Sequence, residues 1–256
     1  MSGCRDGRLV SIVTPARDSG LYIAETIESV LAQTYPAWEM LIVDDGSADD
    51  TADIARKYAA ADRRVRLIAL PANVGAAAAR NIGIRAARGR FVAFLDSDDL
   101  WLAEKLRAQV KFMTENSVAF SYTSYRRFGA IVGRLVAAPE KTNYKSLLKG
   151  NAIACSTVMI DRGAIEDVYM PEKAAHEDYI TWLRLLKEGR VAYGLRKYLA
   201  MYRERAGSLS GDKLKSARAA WKVYREAENL PFCAAAYYFC HYAAKGFLKH
   251  YWPYCP

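Results

Sequence analysis

The sequence predicts an α/β protein with a mostly parallel sheet, because apolar segments alternate with segments of helical periodicity over the first hundred residues. The apolar segments are short and rich in aliphatic and β-branched residues, as buried parallel strands are, and they span 9–14, 40–44, 65–70 and 91–96. With 256 residues, of which 52% are hydrophobic and 25% charged, the chain is long enough to bury the core that such a sheet needs.

The predicted helices each show one apolar face. In the first, apolar residues recur every three to four positions at Ile23, Ile27, Val30 and Leu31. The segments 51–60 and 76–87 repeat this pattern, and so do Leu102, Leu106, Val110 and Met113. The second half is less regular, with strands predicted at 118–125 and 156–160 and helices at 178–187 and 213–228.

Polar and acidic residues follow each predicted strand of the first half. The strands end in TPARD, DDGSADD, PANVG and DSDD. Because parallel strands place their carboxyl ends at one edge of a sheet, we expect these residues to line a single crevice, where ligands of such sheets bind. The charged members of that crevice are Asp44, Asp45, Asp96, Asp98, Asp99, Arg17 and Arg80.

The segment FVAFLDSDDLW places three carboxylates within four positions, although the net charge of the chain is +9. Like charges this close repel, so a solvated turn, neighbouring arginines or a bound metal ion must offset them. A helix cap needs only one of these aspartates. Mg²⁺ and Mn²⁺ bind oxygen ligands and share them with phosphates.

The lack of GxxxxGK[ST], and of GxGxxG after the first strand, argues against P-loop and dinucleotide sites.

Composition and charge narrow the class of protein further. The five cysteines include no CxxC pair, which indicates a reducing compartment, and we expect a cytoplasmic location. We find no signal peptide and no apolar run long enough to span a bilayer. Residues 1–110 carry 14 Lys and Arg against 15 Asp and Glu, whereas residues 111–256 carry 23 against 13. The basic half suits an anionic partner or a solvated basic face, but no nucleic-acid-binding motif accompanies it.

Two stretches of sequence match a known family. VSIVTPARDSG…IESVLAQTYPAWEMLIVDDGSADDT and NVGAAAARNIGI…GRFVAFLDSDDLW resemble the family 2 glycosyltransferases, over roughly residues 9–205. AFSYTSYR, STVMID and YRERAGSLS resemble the subgroup that builds bacterial capsule, teichuronic-acid or O-antigen polysaccharides. The resemblance implies a GT-A nucleotide-sugar transferase fold over 1–210, with a nucleotide-sugar-binding half (9–115), an acceptor-binding half (116–210) and a C-terminal helical extension (211–256).

The resemblance also implies roles for residues at the first two strand ends. Thr14 and Pro15 would lie against the uridine of a UDP-sugar. Asp45 would accept a hydrogen bond from the uracil edge, and Asp44 would support the turn that presents it. Many relatives have SYN after the first strand, where this chain has Ala16-Arg17-Asp18.

The next matching motifs are ARN and DSDD. The resemblance implies that Arg80 and Asn81 shape the nucleotide pocket, and that Asp96 and Asp98 lie near the ribose and a metal ion. Asp98 and Asp99 are the candidate ligands of that ion, expected to be Mn²⁺ or Mg²⁺.

The family keeps its general base at an ED pair, which here is Glu177-Asp178 in HEDY. The resemblance implies that Asp178 accepts the proton of the acceptor hydroxyl; His176 ranks below it. Many relatives also carry a histidine after YR, where this chain reads Tyr202-Arg203-Glu204-Arg205. Arg205 offers a fixed positive charge to a diphosphate but cannot bind a metal.

The expected activity is inverting transfer of a sugar from a UDP-sugar to a hydroxyl of a lipid-linked or oligosaccharide acceptor, in cell-surface polysaccharide synthesis. The alternative is a catalytically inactive nucleotide-sugar-binding subunit.

The tail from 231 to 256 is dense in aromatics with a few cations, which suits either peripheral binding to the inner membrane surface or packing on the protein. The sequence leaves the oligomeric state open.

Overall fold

The computed structural model of the protein describes residues 8–129, 133, 135–172, 174, 176–204 and 213–251. Within these residues the centre of the fold is one sheet of ten strands. The strands are β1 (Val10–Ala16), β2 (Trp38–Asp44), β3 (Val65–Ala69), β4 (Phe91–Phe94), β5 (Leu100–Trp101), β6 (Phe120–Gly129), β7 (Leu135–Val136), β8 (Lys141–Thr142), β9 (Met159–Asp161) and β10 (Ala192–Glu204).

The first half of the sheet is parallel, as the sequence predicts. The order is β3-β2-β1-β4-β9-β6-β10-β5, in which β1 to β4 run in one direction and β9 is antiparallel to both of its neighbours. Ala16 lies opposite Asp44 in the register of β1 and β2, and Val13 lies opposite Phe94. The carboxyl ends of these strands are therefore level at one edge of the sheet.

Eight α-helices flank the described part of the sheet: α1 (Ile23–Leu31), α2 (Thr51–Ala61), α3 (Ala76–Ala86), α4 (Lys105–Glu115), α5 (Tyr144–Leu148), α6 (Glu177–Leu186), α7 (Lys213–Lys222) and α8 (Phe232–Tyr251). Two predictions differ from the structure. The predicted strand at 156–160 begins with a 3-10 turn over Cys155–Thr157. The helix predicted at 213–228 is α-helical to Lys222 and continues as a π-helical turn over Val223–Ala227.

The core has two layers because successive strand residues point to opposite faces of the sheet. Ile12 packs in the layer formed with α1 and α4, and Val13 packs in the layer formed with α3 and α6. Trp182 of α6 is fully buried, and its ring centroid lies 5.6 Å from that of Phe94 and 5.3 Å from that of Phe120. This packing fixes α6, whose first residues are the ED pair.

The C-terminal segment, which begins with α7, packs on the helical layer that contains α6. Tyr224 and Ala235 are fully buried in the same core layer as α6. The Tyr224 hydroxyl donates a hydrogen bond of 2.8 Å to the backbone oxygen of Leu148 at the end of α5. Of the helices in the described ranges, none combines the length and the apolar character that crossing a bilayer requires.

Candidate active site

A pocket of about 390 Å³ opens at the carboxyl edge of the parallel strands. Its walls come from the ends of β1, β2, β4 and β10 and from the start of α3. The lining residues are Pro15, Ala16, Arg17, Ser19, Asp45, Asn73, Gly75, Ala76, Arg80, Asp96, Ser97, Asp98 and Tyr202. The structure thus brings Pro15, Asp45, Arg80, Asp96 and Asp98 together, as the strand ends predict.

The turn after β2 positions Asp45 at the pocket wall. Asp44 closes this turn by accepting a 2.5 Å hydrogen bond from the Ser47 hydroxyl, which suits the supporting role implied for it. Gly46 adopts φ +66°, a conformation that favours glycine. The carboxylate of Asp45 accepts hydrogen bonds from the backbone N–H groups of Val74 (2.6 Å) and Gly75 (3.0 Å). Each of its oxygens keeps a second lone pair, which a nucleobase donor could use.

Thr14 and Asn81 are not among the residues that line the pocket, and the roles predicted for them at the uridine and in the nucleotide pocket stay predictions. Thr14 is fully buried inside β1. Asn81 follows Arg80 in α3, and consecutive helix residues point in different directions. The Oδ1 of Asn81 accepts a hydrogen bond from the Met170 N–H (2.7 Å), and its Nδ2 donates one to the Met170 oxygen (2.8 Å). Asn81 therefore holds the chain segment that leads to α6.

Asp99 anchors the turn after β4 and is not among the residues that line the pocket; its role as a metal ligand stays a prediction. Its carboxylate is buried and accepts hydrogen bonds from the Ser156 hydroxyl (2.6 Å) and the Arg203 N–H (2.8 Å). Ser156 in turn accepts a 3.1 Å hydrogen bond from the Asp96 N–H. Burial, with the charges of Asp96 and Asp98 adding to it, raises the pKa of Asp99 well above its ordinary value.

Arg203 is a residue of the site that the sequence analysis does not single out. Its Nε donates a 2.7 Å hydrogen bond to the backbone oxygen of Asp98, and its guanidinium donates a 2.6 Å hydrogen bond to Glu25 of α1. The guanidinium carbon lies 4.4 Å from the ring centroid of Phe128 and 4.8 Å from that of Tyr22. Arg203 therefore fixes the backbone that presents Asp98. Arg205, the predicted diphosphate ligand, lies outside the described residues.

Arg80 joins the pocket to the ED pair. It is 7% exposed, and its guanidinium donates a 2.6 Å hydrogen bond to Asp96 and a second hydrogen bond to Glu177, the first residue of α6. Salt bridges to both carboxylates offset the charge of this buried arginine. The two acidic regions of the site are therefore connected through one guanidinium.

Asp178 is the residue for which the family resemblance implies the role of general base. Its side chain is half-buried, and its carboxylate accepts a 2.7 Å hydrogen bond from the Tyr179 N–H in the first turn of α6. Burial, with the charge of Glu177 adding to it, raises the pKa of Asp178 to about 6, while Arg80 opposes the rise. A carboxylate with a pKa near 6 is ionised at pH 7 and is more basic than an ordinary aspartate.

The described residues fit a metal ion that is shared with a substrate. No group of three or more His, Cys, Asp or Glu side chains in the described part of the chain is placed to enclose a metal ion. Of the two predicted ligands, Asp98 lines the pocket and Asp99 does not. Mg²⁺ is commonly held by one or two carboxylates together with phosphate oxygens and water. Asp98 is compatible with that arrangement.

The mostly parallel sheet, with its strand ends level at the edge where the pocket opens, is the architecture of a GT-A glycosyltransferase. The chain belongs to glycosyl transferase family 2, because the sequence model of that family matches residues 11–167. It is a glycosyltransferase.

Among its relatives is TuaG of Bacillus subtilis, a glycosyltransferase assigned to teichuronic acid biosynthesis; it is 45% identical over 94% of this chain and 97% of its own. WfgD of Escherichia coli, a UDP-Glc:α-D-GlcNAc-diphosphoundecaprenol β-1,3-glucosyltransferase, is 38% identical over 96% of each chain.

Solved structures support the fold. TarS residues 1–349 of S. aureus, crystallised with UDP-GlcNAc, superimposes with a TM-score of 0.71 at 21% identity, over 93% of this chain and 72% of that one. The mannosyltransferase PcManGT of Pyrobaculum calidifontis, in complex with GDP-Man and Mn²⁺, gives a TM-score of 0.68 at 17% identity, over 94% and 75% of the two chains.

Proposed function

We propose that the protein transfers a sugar from a UDP-sugar to a hydroxyl of a lipid-linked or oligosaccharide acceptor, with inversion at the anomeric carbon, during synthesis of a cell-surface polysaccharide. Two relatives that span nearly the whole chain support this proposal. One is assigned to teichuronic acid biosynthesis, and the other uses UDP-Glc and an undecaprenyl-diphosphate-linked acceptor.

The observation that carries the proposal is the connection through Arg80. Its guanidinium binds Asp96 of the pocket and Glu177 beside Asp178. A donor held at the strand ends and a base at the start of α6 would then be kept in a fixed relation. Such fixed placement is a large part of what an enzyme contributes to a two-substrate displacement.

The proposed reaction is a single displacement. The acceptor oxygen attacks the anomeric carbon, the bond from that carbon to the diphosphate oxygen breaks, and UDP leaves with the bonding electrons. Asp178 accepts the proton that the acceptor hydroxyl loses. A hydroxyl is a weak nucleophile, and a positioned base of this kind contributes on the order of 10²–10⁴-fold to the rate.

The remaining pocket residues would bind the donor. Asp45 would accept a hydrogen bond from the uracil, Pro15 would contact the uridine, and Asp98 would face the diphosphate. A divalent cation, when bound at Asp98, would offset the negative charge of that diphosphate. Arg17, which also lines the pocket, supplies positive charge at the same edge.

The protein would act in the cytoplasm, at the inner face of the cell membrane, because a lipid-linked acceptor is held there. Tyr224 and Ala235 of the C-terminal segment lie in the core, so a membrane contact would use the exposed side of α8.

The test is release of UDP from a panel of UDP-sugars, with and without a soluble undecaprenyl-diphosphate sugar analogue that carries a short lipid. We expect one donor to give acceptor-dependent release, with the product linked in the inverted configuration. Donor binding without turnover, in the parent protein and the Asp178→Asn variant alike, would instead indicate a nucleotide-sugar-binding subunit.

A further inference from the structure

The first part of α8, residues 232–244, exposes a side without charge. Between 232 and 244 the sequence has no Asp, Glu, Lys or Arg. Phe232 is 65% exposed and Tyr237 is 52% exposed. Cys233, Cys240 and Ala244 are exposed as well, and with Tyr237 they follow one another at spacings of three and four residues, along one side of the helix. A surface helix ordinarily places charged residues on its exposed side.

This exposed side is held in place by the rest of the protein. The opposite side of α8 packs into the core through Ala235. Phe232, at the start of the helix, is exposed but also contacts α7: the ring centroid of Trp221 lies 5.8 Å from that of Phe232 and 5.5 Å from that of Phe239. The uncharged side is therefore presented on a rigid support.

Cations border the uncharged side. Arg218, Lys222 and Arg225 are exposed and follow one another at spacings of four and three residues along α7 and the π-helical turn. On the side of α5, the Lys149 ammonium lies 5.9 Å from the ring centroid of Tyr237. Glu226, which follows Arg225 in the sequence, is an exposed acidic residue in the same region.

The buried acid of this region is already paired. Glu228 accepts a 2.6 Å hydrogen bond from the Tyr144 hydroxyl and forms a 3.1 Å ion pair with Lys187. It therefore does not offset the cations that border α8, and the border is predominantly positive.

We propose that the exposed side of α8 and the cations that border it dock on an anionic lipid bilayer. Aromatic side chains favour the boundary between headgroups and acyl chains, and cations beside them are attracted to anionic headgroups. Charge argues against a second copy of the chain as the occupant. A two-fold contact brings the same patch together from both copies, so the cations would face one another. The inference rests on the proposed function in one respect: docking would bring the pocket to an acceptor held in the membrane.

The experiment is co-sedimentation of the full-length protein with phosphatidylcholine vesicles and with vesicles that also contain phosphatidylglycerol. We expect binding to the anionic vesicles that weakens as salt increases. The double variant Arg218→Gln/Lys222→Gln should lower that partition coefficient on the order of tenfold. The double variant Phe232→Ser/Tyr237→Ser should lower it as well, because it removes the apolar contact.

Two variants serve as matched controls. Lys57→Gln/Arg63→Gln removes two exposed charges from the region of α2, and Leu135→Ser removes an exposed apolar side chain from β7. Both should bind vesicles as the parent does. Parent protein that stays in the supernatant with anionic vesicles would overturn the proposal, and so would α8 variants that sediment like the parent.

Two further readouts distinguish docking on a bilayer from dimerisation and from catalysis. A dimer in solution that the Phe232→Ser/Tyr237→Ser variant abolishes, without vesicle binding, would assign the surface to a second copy and overturn the proposal. Turnover on the short-lipid acceptor reports on catalysis alone. Loss of docking leaves this turnover at the parent rate, whereas failure of the proposed function abolishes it in every variant, including the parent.

Discussion

The turn after β4 and the first turn of α6 both place acidic residues side by side, but they use them differently. At the turn after β4, Asp99 is buried and hydrogen-bonded, and Asp98 lines the pocket. At the start of α6, Asp178 is left with a raised pKa. In each region one further carboxylate, Asp96 or Glu177, pairs with Arg80.

We infer that the carboxylates of the two regions have different roles. Arg80 offsets the negative charge of Asp96 in one region and of Glu177 in the other. Asp98 can then be used for binding, and Asp178 for proton transfer. Because the guanidinium is shared, a change at one region should be felt at the other.

The largest effect is expected from Asp178→Asn, which keeps the shape of the side chain and removes its basicity. We expect kcat to fall on the order of 10²–10⁴-fold, with little change in the affinity for the donor. Single-turnover kinetics and UDP-sugar titration measure the two quantities separately. A large loss of donor affinity would instead place Asp178 in the nucleotide site. Glu188→Gln, an exposed acid just beyond α6, is the matched control.

Substitution of Arg80 by Met should leave Asp96 and Glu177 without their shared cation. Breaking a buried ion pair from one side costs about 3–5 kcal/mol of stability, so we expect a marked loss in the free energy of unfolding. Arg184→Met removes a more exposed arginine that pairs with Asp167, and it should cost about 1 kcal/mol or less. Chemical denaturation of the two variants tests the contrast; equal losses would contradict it.

Substitutions of Asp98 and Asp99 should have different effects. Loss of the Asp98 carboxylate should weaken ligand binding, and loss of the Asp99 carboxylate should lower the stability of the fold. We expect Asp98→Asn to weaken Mn²⁺-dependent binding of UDP, measured by calorimetry with and without EDTA, at an unchanged melting temperature. Asp99→Ala removes the acceptors of the Ser156 hydroxyl and the Arg203 N–H, and it should cost about 1–3 kcal/mol of stability. If EDTA leaves the binding of UDP to the parent protein unaffected, the proposal that a metal ion binds at Asp98 is wrong.

The smallest effect concerns pH. Activity should fall as pH decreases through about 6, because Asp178 then binds a proton. For stability the sign is opposite. The folded state raises the pKa of Asp178, so this carboxyl contributes most below its ordinary pKa, and the contribution is lost as pH rises through about 6. Asp178→Asn should therefore be more stable than the parent near pH 7 but not near pH 4, by roughly 1 kcal/mol after allowance for partial exposure.

The parallel half of the fold, and the edge where the pocket lies, could be predicted from the local pattern of residues. Short apolar segments such as 40–44, placed between segments of helical periodicity, are typical of buried parallel strands, and strands that run in one direction end at one edge. Asp45, Asp96 and Asp98 follow from that rule because they stand directly at strand ends. Family resemblance added the ED pair, which no strand-end rule would have found.

Which side chains face the pocket depends on how the strands and helices are arranged in the folded chain. Thr14 and Asn81 are adjacent in sequence to Pro15 and Arg80, but alternation along a strand and rotation along a helix turn neighbouring side chains in different directions. Contacts between distant segments decided the rest. Arg203 reaches Asp98 across 105 positions of sequence, and Arg80 reaches Glu177 across 97. Local sequence cannot reveal such pairs, because they form only when the sheet brings its strand ends together.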